Sequence, residues 1–222
     1  MYFNPLTAMF LVFLLLFLFF IMQIDLIVMV FARIGIPTQY VFAALFATLI
    51  GSFINIPIKR IPQESMAEEK TVLFYGFRYV VPVRKRKETV LAVNVGGAVI
   101  PVLLSCYLLL KTGLWARALI ATTIMALITF RLARPVRGLG IALPFFVPPI
   151  VAALASVIIS GTHAPVVAYV CGTLGTLIGA DLLNLRKISK LGAPIASIGG
   201  AGTFDGIFLT GIFAVVLAAF LT

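Results

Sequence analysis

Long apolar runs separated by short polar ones organise this chain. Residues 8 to 32 are apolar apart from Gln23 and Asp25, and the Gly and Pro of "RIGIP" at 33 to 37 end that run. Further apolar runs cover about 38 to 57, 89 to 110, 114 to 130, 138 to 160, 165 to 185 and 203 to 221. Because roughly 20 apolar residues cross the hydrocarbon layer as a helix, the pattern predicts an all-α polytopic membrane protein. It has about seven transmembrane helices in a single membrane domain over 1–222. Between the second and third runs the pattern changes. "KRIPQESMAEEK" is polar, and "TVLFYGFRYVVPV" at 71 to 83 is aromatic and β-branched but too short to span. A small cytoplasmic strand or hairpin is predicted there, within a surface insert at 58–88. Pro82 cannot donate to a ladder and Gly76 invites a turn, so the strand should be an edge strand, open to a partner.

Composition agrees with lipid as the solvent: 62% of residues are hydrophobic and 11% charged, about half the charged fraction of a soluble domain. The net charge of +10 does not point to nucleic acid, because the basic residues fill the gaps between apolar runs. The gaps at 58 to 88, 131 to 137 and 186 to 190 hold eight, three and three Lys or Arg, fourteen in all; the opposite gaps hold Arg33, Lys111 and Arg117. The excess of Lys and Arg marks cytoplasmic loops. The chain is therefore expected to be a multi-pass cell-membrane protein with its amino terminus in the cytoplasm and its carboxyl terminus outside. The cluster Arg84 to Lys87 should lie among the cytoplasmic headgroups. The first residues lack a basic n-region and a small-residue cleavage site, so the segment is expected to be retained. Cys106 and Cys171 both fall inside apolar runs and imply no disulfide framework.

Two of the three aspartates stand at positions a bilayer would not favour. Asp181 lies sixteen residues into the run that opens at Pro165, ~24 Å along a helix; Asp205 lies seventeen residues back from Thr222, ~26 Å. The two depths agree, and the short link between the runs makes the helices antiparallel neighbours, so the two carboxyls are placed to meet near the cytoplasmic face. Intramembrane acids are functional hypotheses by default. Structural roles stand beside that reading: Arg186 or Arg131 as a partner for Asp181, and helix capping by Asp205. Gly172, Gly175 and Gly179 give the sixth run a small-residue face, ordinarily a sign of close packing. "GGAGTFDG", with Gly199, Gly200, Gly202 and Gly206, is looser than packing needs and suits a flexible mouth. Two adjacent carboxyls share a proton, one taking a proton from water while the other polarises a carbonyl.

The segment resembles the catalytic core of the presenilin and signal peptide peptidase class, the intramembrane aspartyl proteases with a Gly-x-Gly-Asp motif. Asp181 matches an Asp deep in one helix, "GGAGTFDGIF" a Gly-rich approach to the second Asp, and Ala142, Leu143 and Pro144 of "IALP" a Pro-Ala-Leu motif. The resemblance covers the last third of the chain. It departs from the pattern in three places: Ala180 precedes Asp181 where the family has Tyr, Thr203 and Phe204 separate Gly202 from Asp205, and Ala-Leu-Pro comes before the first aspartate. A proline kink in "LPFFVPP" also accounts for Pro144, Pro148 and Pro149. The resemblance implies Asp181 and Asp205 as catalytic residues, Gly200, Gly202, Ala142, Leu143 and Pro144 as substrate-binding residues, and a transmembrane peptide substrate. The whole chain more closely resembles an uncharacterised prokaryotic membrane-protein family, a domain of unknown function.

Other chemistry is sparse. Asp25 with Gln23, and Asn94 in "AVNVGG", read as polar residues binding neighbouring helices. His163 has no Glu, Cys or second His near it in sequence, so no metal is expected, and neither cofactor nor nucleic acid is implied. A rhomboid-like Ser-His pair, His-Glu-x-x-His, phosphate loops and dinucleotide motifs are absent. The expected function is intramembrane aspartyl proteolysis. The alternatives are a proton-coupled transporter or channel that uses the same aspartates as a relay, and a non-catalytic scaffold. No internal repeat is visible, which weighs against a transporter.

Overall fold

A computed structural model describes residues 13–16, 25–62, 71–74, 77–80, 88–136, 140–190, 194–200 and 204–222. The chain is mostly helical. Helix α1 (Asp25–Arg33) meets α2 (Thr38–Gly51) at a bend of 108° through the Gly35 and Pro37 turn. Helix α3 (Val95–Thr112) opens with a π-helical segment, Val95–Val99; α4 covers Trp115–Leu132 and α5 Val147–Ser160. Helix α6 (Ala164–Thr176) continues into a π-helical segment, Leu177–Asp181, and then a 3₁₀ segment, Leu182–Lys190. Helix α7 is Phe204–Leu221.

Among the described residues, three stretches are long and apolar enough to cross a membrane: Val95–Thr112, Trp115–Leu132 and Val147–Leu185. The bent α1–α2 pair makes a fourth if counted as one span. The third stretch is too long for one straight crossing. It turns at Gly161 (φ +53), after which α6 packs against α5, with Cys171 and Gly172 facing Ala152. Several of the expected spans shorten because strands occupy their ends. The run at 38 to 57 is α2 followed by strand β1 (Asn55–Pro62). The run at 89 to 110 begins as strand β4 (Glu88–Asn94), so Asn94 ends a strand and does not sit within a span. The run at 138 to 160 begins as strand β6 (Gly140–Ala142), paired with β5 (Arg134–Val136). Pro148 and Pro149 kink nothing. They stand in the first turn of α5, where the missing N–H costs no hydrogen bond.

The surface insert also differs from expectation. Strands β2 (Thr71–Phe74) and β3 (Phe77–Val80) form the expected hairpin; Pro82, Gly76 and the Arg84 to Lys87 cluster lie outside the described residues. β1 and β4 instead pair antiparallel, and β4 pairs parallel with β7 (Ile195–Ile198), which comes from the other end of the sequence. One face of this sheet packs its Leu91, Ala196 and Ile198 against Ala98 of α3, Leu177 and Ile207 of α7. β5 and β6 reach the same end of the bundle, where Ala133 and Ile141 pack on Ala180. The described parts of the basic segments that adjoin β1, β4, β5 and the end of α6 therefore gather at one end. The turns at Gly35 and Gly113 lie at the other end, tied by Lys111 Nζ, which donates to the Gly35 carbonyl at 2.5 Å.

Candidate functional site

Asp181 is the last residue of the π segment that extends α6 and is only 4% exposed. The backbone N–H of Gly199 donates to its Oδ2 at 2.6 Å, a charge-assisted bond of the strong kind when the carboxyl is ionised. Gly199 forms the turn after β7 with φ +71, and a Cβ there would lie 2.6 to 2.8 Å from the backbone of Gly97 and Ala98. The turn is thus left-handed and also pressed against the π segment that opens α3. Two π segments flank one glycine turn, and Asp181 fastens it. Such segments recur at functional sites because the extra residue re-aims the side chains around it.

Asn184 lies one 3₁₀ turn beyond Asp181. Its Nδ2 donates to the carbonyls of Gly179 and Ala180, each at 3.0 Å. Both partners are acceptors, which fixes the orientation of the amide. Its Oδ1 is buried and has no protein partner, a state that costs about 1–3 kcal/mol unless another donor satisfies it. Sequence reasoning missed this residue. The available signal was the three-residue spacing in "DLLN", since residues three apart eclipse in a 3₁₀ helix.

Asn94 joins three elements at the same end of the bundle. Its Nδ2 donates to the Ser52 carbonyl at 2.6 Å and to Asn55 Oδ1 at 3.1 Å, while its Oδ1 accepts from Gly97 N–H at 2.7 Å and so caps α3. Ser197 Oγ donates to the same Asn55 oxygen. Strands β1, β4 and β7 are thereby stitched together beside the Gly199 turn.

Helices α6 and α7 pack antiparallel. A Cβ on Gly172 would lie 3.3 Å from Thr210 Cγ2, and one on Gly211 2.9 Å from Thr173 Oγ1. Continuing those two pairings sets Asp205 opposite residues 177 to 179, two to four residues and roughly 3–6 Å from the level of Asp181. Asp205 falls in the first turn of α7, where a negative charge meets the positive end of the helix dipole; its side chain is outside the described residues. Gly172, Gly175 and Gly179 face Ala152 and Thr210, Met125, and Thr129 with Ala126 respectively, which is the close-packing role. Arg131 is exposed.

The Ala142–Pro144 segment lies between the two aspartate-bearing elements. Ala142 is buried in β6, opposite Arg134. Leu143 packs on the cluster containing Ala180, and its Cδ1 lies 3.7 Å from where a Cβ of Gly206 would be. One side chain thus lies beside Gly206, next to Asp205, and on the cluster that holds Ala180, next to Asp181. Pro144 is half-buried beside it. Gly200 is buried, donating its N–H to the Ser197 carbonyl at 3.0 Å; Gly202 lies outside the described residues. Asp25, the first described residue of α1, is exposed, and His163 is exposed with its Nδ1 3.3 Å from Thr162 Oγ1. Cys106 is exposed, Cys171 is buried, and both are free thiols. Among the described residues no three His, Cys, Asp or Glu side chains are grouped to hold a metal.

Several apolar helices, capped at one end by a small sheet with a buried carboxyl beneath it, define a helical membrane protein. The chain belongs to the DUF1614 family, described as a protein of unknown function, whose family model matches residues 49–217. That range omits α1 and most of α2, and includes the sheet, Ala142 to Pro144, Asp181, Asn184 and Asp205. No curated protein and no solved structure matches the chain, and none of these comparisons carries the presenilin-type resemblance.

Proposed function

We propose that the protein is an intramembrane aspartyl protease in which Asp181 and Asp205 form the dyad, cleaving membrane-spanning peptides near the cytoplasmic face. The observation that carries this reading is Leu143, which lies beside Gly206 and on the cluster holding Ala180, together with a helix register that separates the two aspartate backbone positions by no more than about one turn. The Gly199 N–H, donating to Oδ2, holds the Asp181 carboxyl in one orientation beneath the turn. In the reaction one carboxylate takes a proton from the attacking water as the other carboxyl donates to the scissile carbonyl oxygen; the roles then reverse for collapse to amine and acid. Ala142, Leu143, Pro144, Gly200 and Gly202 form the substrate-facing wall. An unwound substrate pairs with the open edge of the β2–β3 hairpin by β-augmentation.

In this reading the bundle crosses the membrane seven times. The sheet end, with most of the basic residues, faces the cytoplasm and the carboxyl terminus lies outside, as the charge asymmetry predicts. The test is cleavage of a single-span reporter peptide in proteoliposomes, together with labelling by a photoactivatable hydroxyl-bearing transition-state analogue. Asp181→Asn and Asp205→Asn should each abolish cleavage and labelling while the protein still elutes as a folded species. Full cleavage by either variant would exclude the dyad. Proton-driven transport lost in both variants, without cleavage by the parent protein, would assign the aspartates to a relay.

A further inference from the structure

Helix α6 carries five buried polar side chains whose spacing follows the local helix type. From Tyr169 the steps are four residues to Thr173, three to Thr176, five to Asp181 and three to Asn184. Steps of three or four stack side chains on an α-helix; a step of five is one turn where hydrogen bonds run from i to i+5, and residues three apart eclipse in a 3₁₀ helix. The change from α to π to 3₁₀ along α6 thus keeps all five on one face, one per turn. None is more than 7% exposed. Tyr169 and Thr173 line a small, partly open cavity of about 10 Å³, room for about one water, together with Thr48, Phe31 and Pro101.

The hydroxyl of Thr176 separates this stripe from ordinary helix polarity. Thr48, Thr112, Thr123 and Thr129 each satisfy their hydroxyl on the carbonyl four residues back. Thr176 Oγ1 is buried with no protein partner, a state shared by the Ser105 and Ser160 hydroxyls elsewhere in the bundle; Asn184 Oδ1 is in the same state, and Thr176 and Asn184 stand either side of Asp181. Two unsatisfied oxygens flanking a buried carboxyl, in line with a cavity, call for a ligand small enough to fit between packed helices and able both to donate and to accept. Water meets both conditions.

We propose that this stripe is a hydrated path running from the sheet end at Asn184, past Asp181 and Thr176, to the cavity at Thr173 and Tyr169. It brings water and protons to Asp181 through an otherwise apolar bundle. The path does not depend on which chemistry Asp181 performs, and its readout is solvent labelling rather than cleavage, so it can fail while the dyad stands.

Radiolytic hydroxyl-radical labelling of the protein in lipid nanodiscs tests it, because radicals formed from bound internal water oxidise the side chains next to them. Tyr169 should be oxidised well above Met125, which is fully buried on the other side of α6 against Gly175 and is intrinsically more reactive. Thr176→Val should lower Tyr169 labelling several-fold, and Thr176→Ser, which keeps the hydroxyl, should restore it. Tyr169 oxidation no faster than that of Met125 would overturn the path. Labelling unchanged in a folded Thr176→Val protein would overturn the part given to Thr176, and with it a route past Asp181.

Discussion

The Gly199 N–H and the Asp181 carboxylate, 2.6 Å apart, join the last turn before α7 to the end of α6. These residues are eighteen apart in sequence, and the bond fixes where the chain re-enters the bundle. Gly199→Ala should therefore be costly in two ways: a left-handed backbone at φ +71 that a non-glycine residue resists, and a Cβ 2.6 Å from Gly97. A loss of at least about 1–3 kcal/mol is expected from the backbone strain alone, read as a lowered midpoint in thermal unfolding in detergent. A variant as stable as the parent would contradict the turn as described.

Asn94→Ala removes three hydrogen bonds at once, to Ser52, Asn55 and Gly97, and leaves the start of α3 uncapped. The expected cost is about 1–3 kcal/mol. Asn94→Asp should not recover it: the Gly97 N–H keeps its acceptor, but the second carboxyl oxygen then faces two acceptors, the Ser52 carbonyl and Asn55 Oδ1, in a buried site. Denaturant unfolding should find both variants less stable than the parent, with Asn94→Asp no more stable than Asn94→Ala.

Gly179 lets α6 approach α4 closely enough for Thr129 and Ala126 to occupy the space a Cβ would need. Gly179→Ala should force the helices apart at a cost of about 1–3 kcal/mol, as overpacking does, and the displaced Ala180 should disturb Asp181 next to it. Reporter cleavage should fall with stability in this variant, whereas Gly206→Ala, which meets only Leu143 at 3.7 Å, should leave stability almost unchanged.

If the two aspartates work as one unit, the Asp181→Asn/Asp205→Asn double variant should be no less active than either single variant, because groups sharing one function are non-additive. Residual rates over the uncatalysed reaction give the comparison. A further drop of tenfold or more in the double variant would mean that the two act independently.

The proposed topology makes Lys59→Cys reactive to an impermeant maleimide from the cytoplasmic side and His163→Cys reactive from the outside. Cys106 is replaced by Ser in both proteins, since it is exposed on α3. Reaction of both sites from the same side would refute the assignment of the two ends.

The sequence by itself determined the solvent, the number of long apolar runs and the gathering of basic residues in three segments, because lipid imposes a length and a composition on any helix that crosses it. It also singled out Asp181, an acid too costly to bury without a purpose. The hairpin at 71–80 was legible from its aromatic and β-branched residues. What it did not reveal was the sheet. β4 and the start of β7 read as apolar run or loop, because apolar strands packed against helix ends carry no period that separates them from helix, and their pairing joins segments about a hundred residues apart. Tertiary structure alone decided that Asn94 caps a helix and stitches strands, that Gly199 holds Asp181, and that Asn184 belongs to the site. Each of those roles depends on hydrogen-bond partners, and most of these are distant in the chain. The register of α6 against α7 was likewise a packing outcome: equal depths counted from two helix ends put the aspartates level, while the glycines at 172 and 211 seat the helices two to four residues out of that alignment.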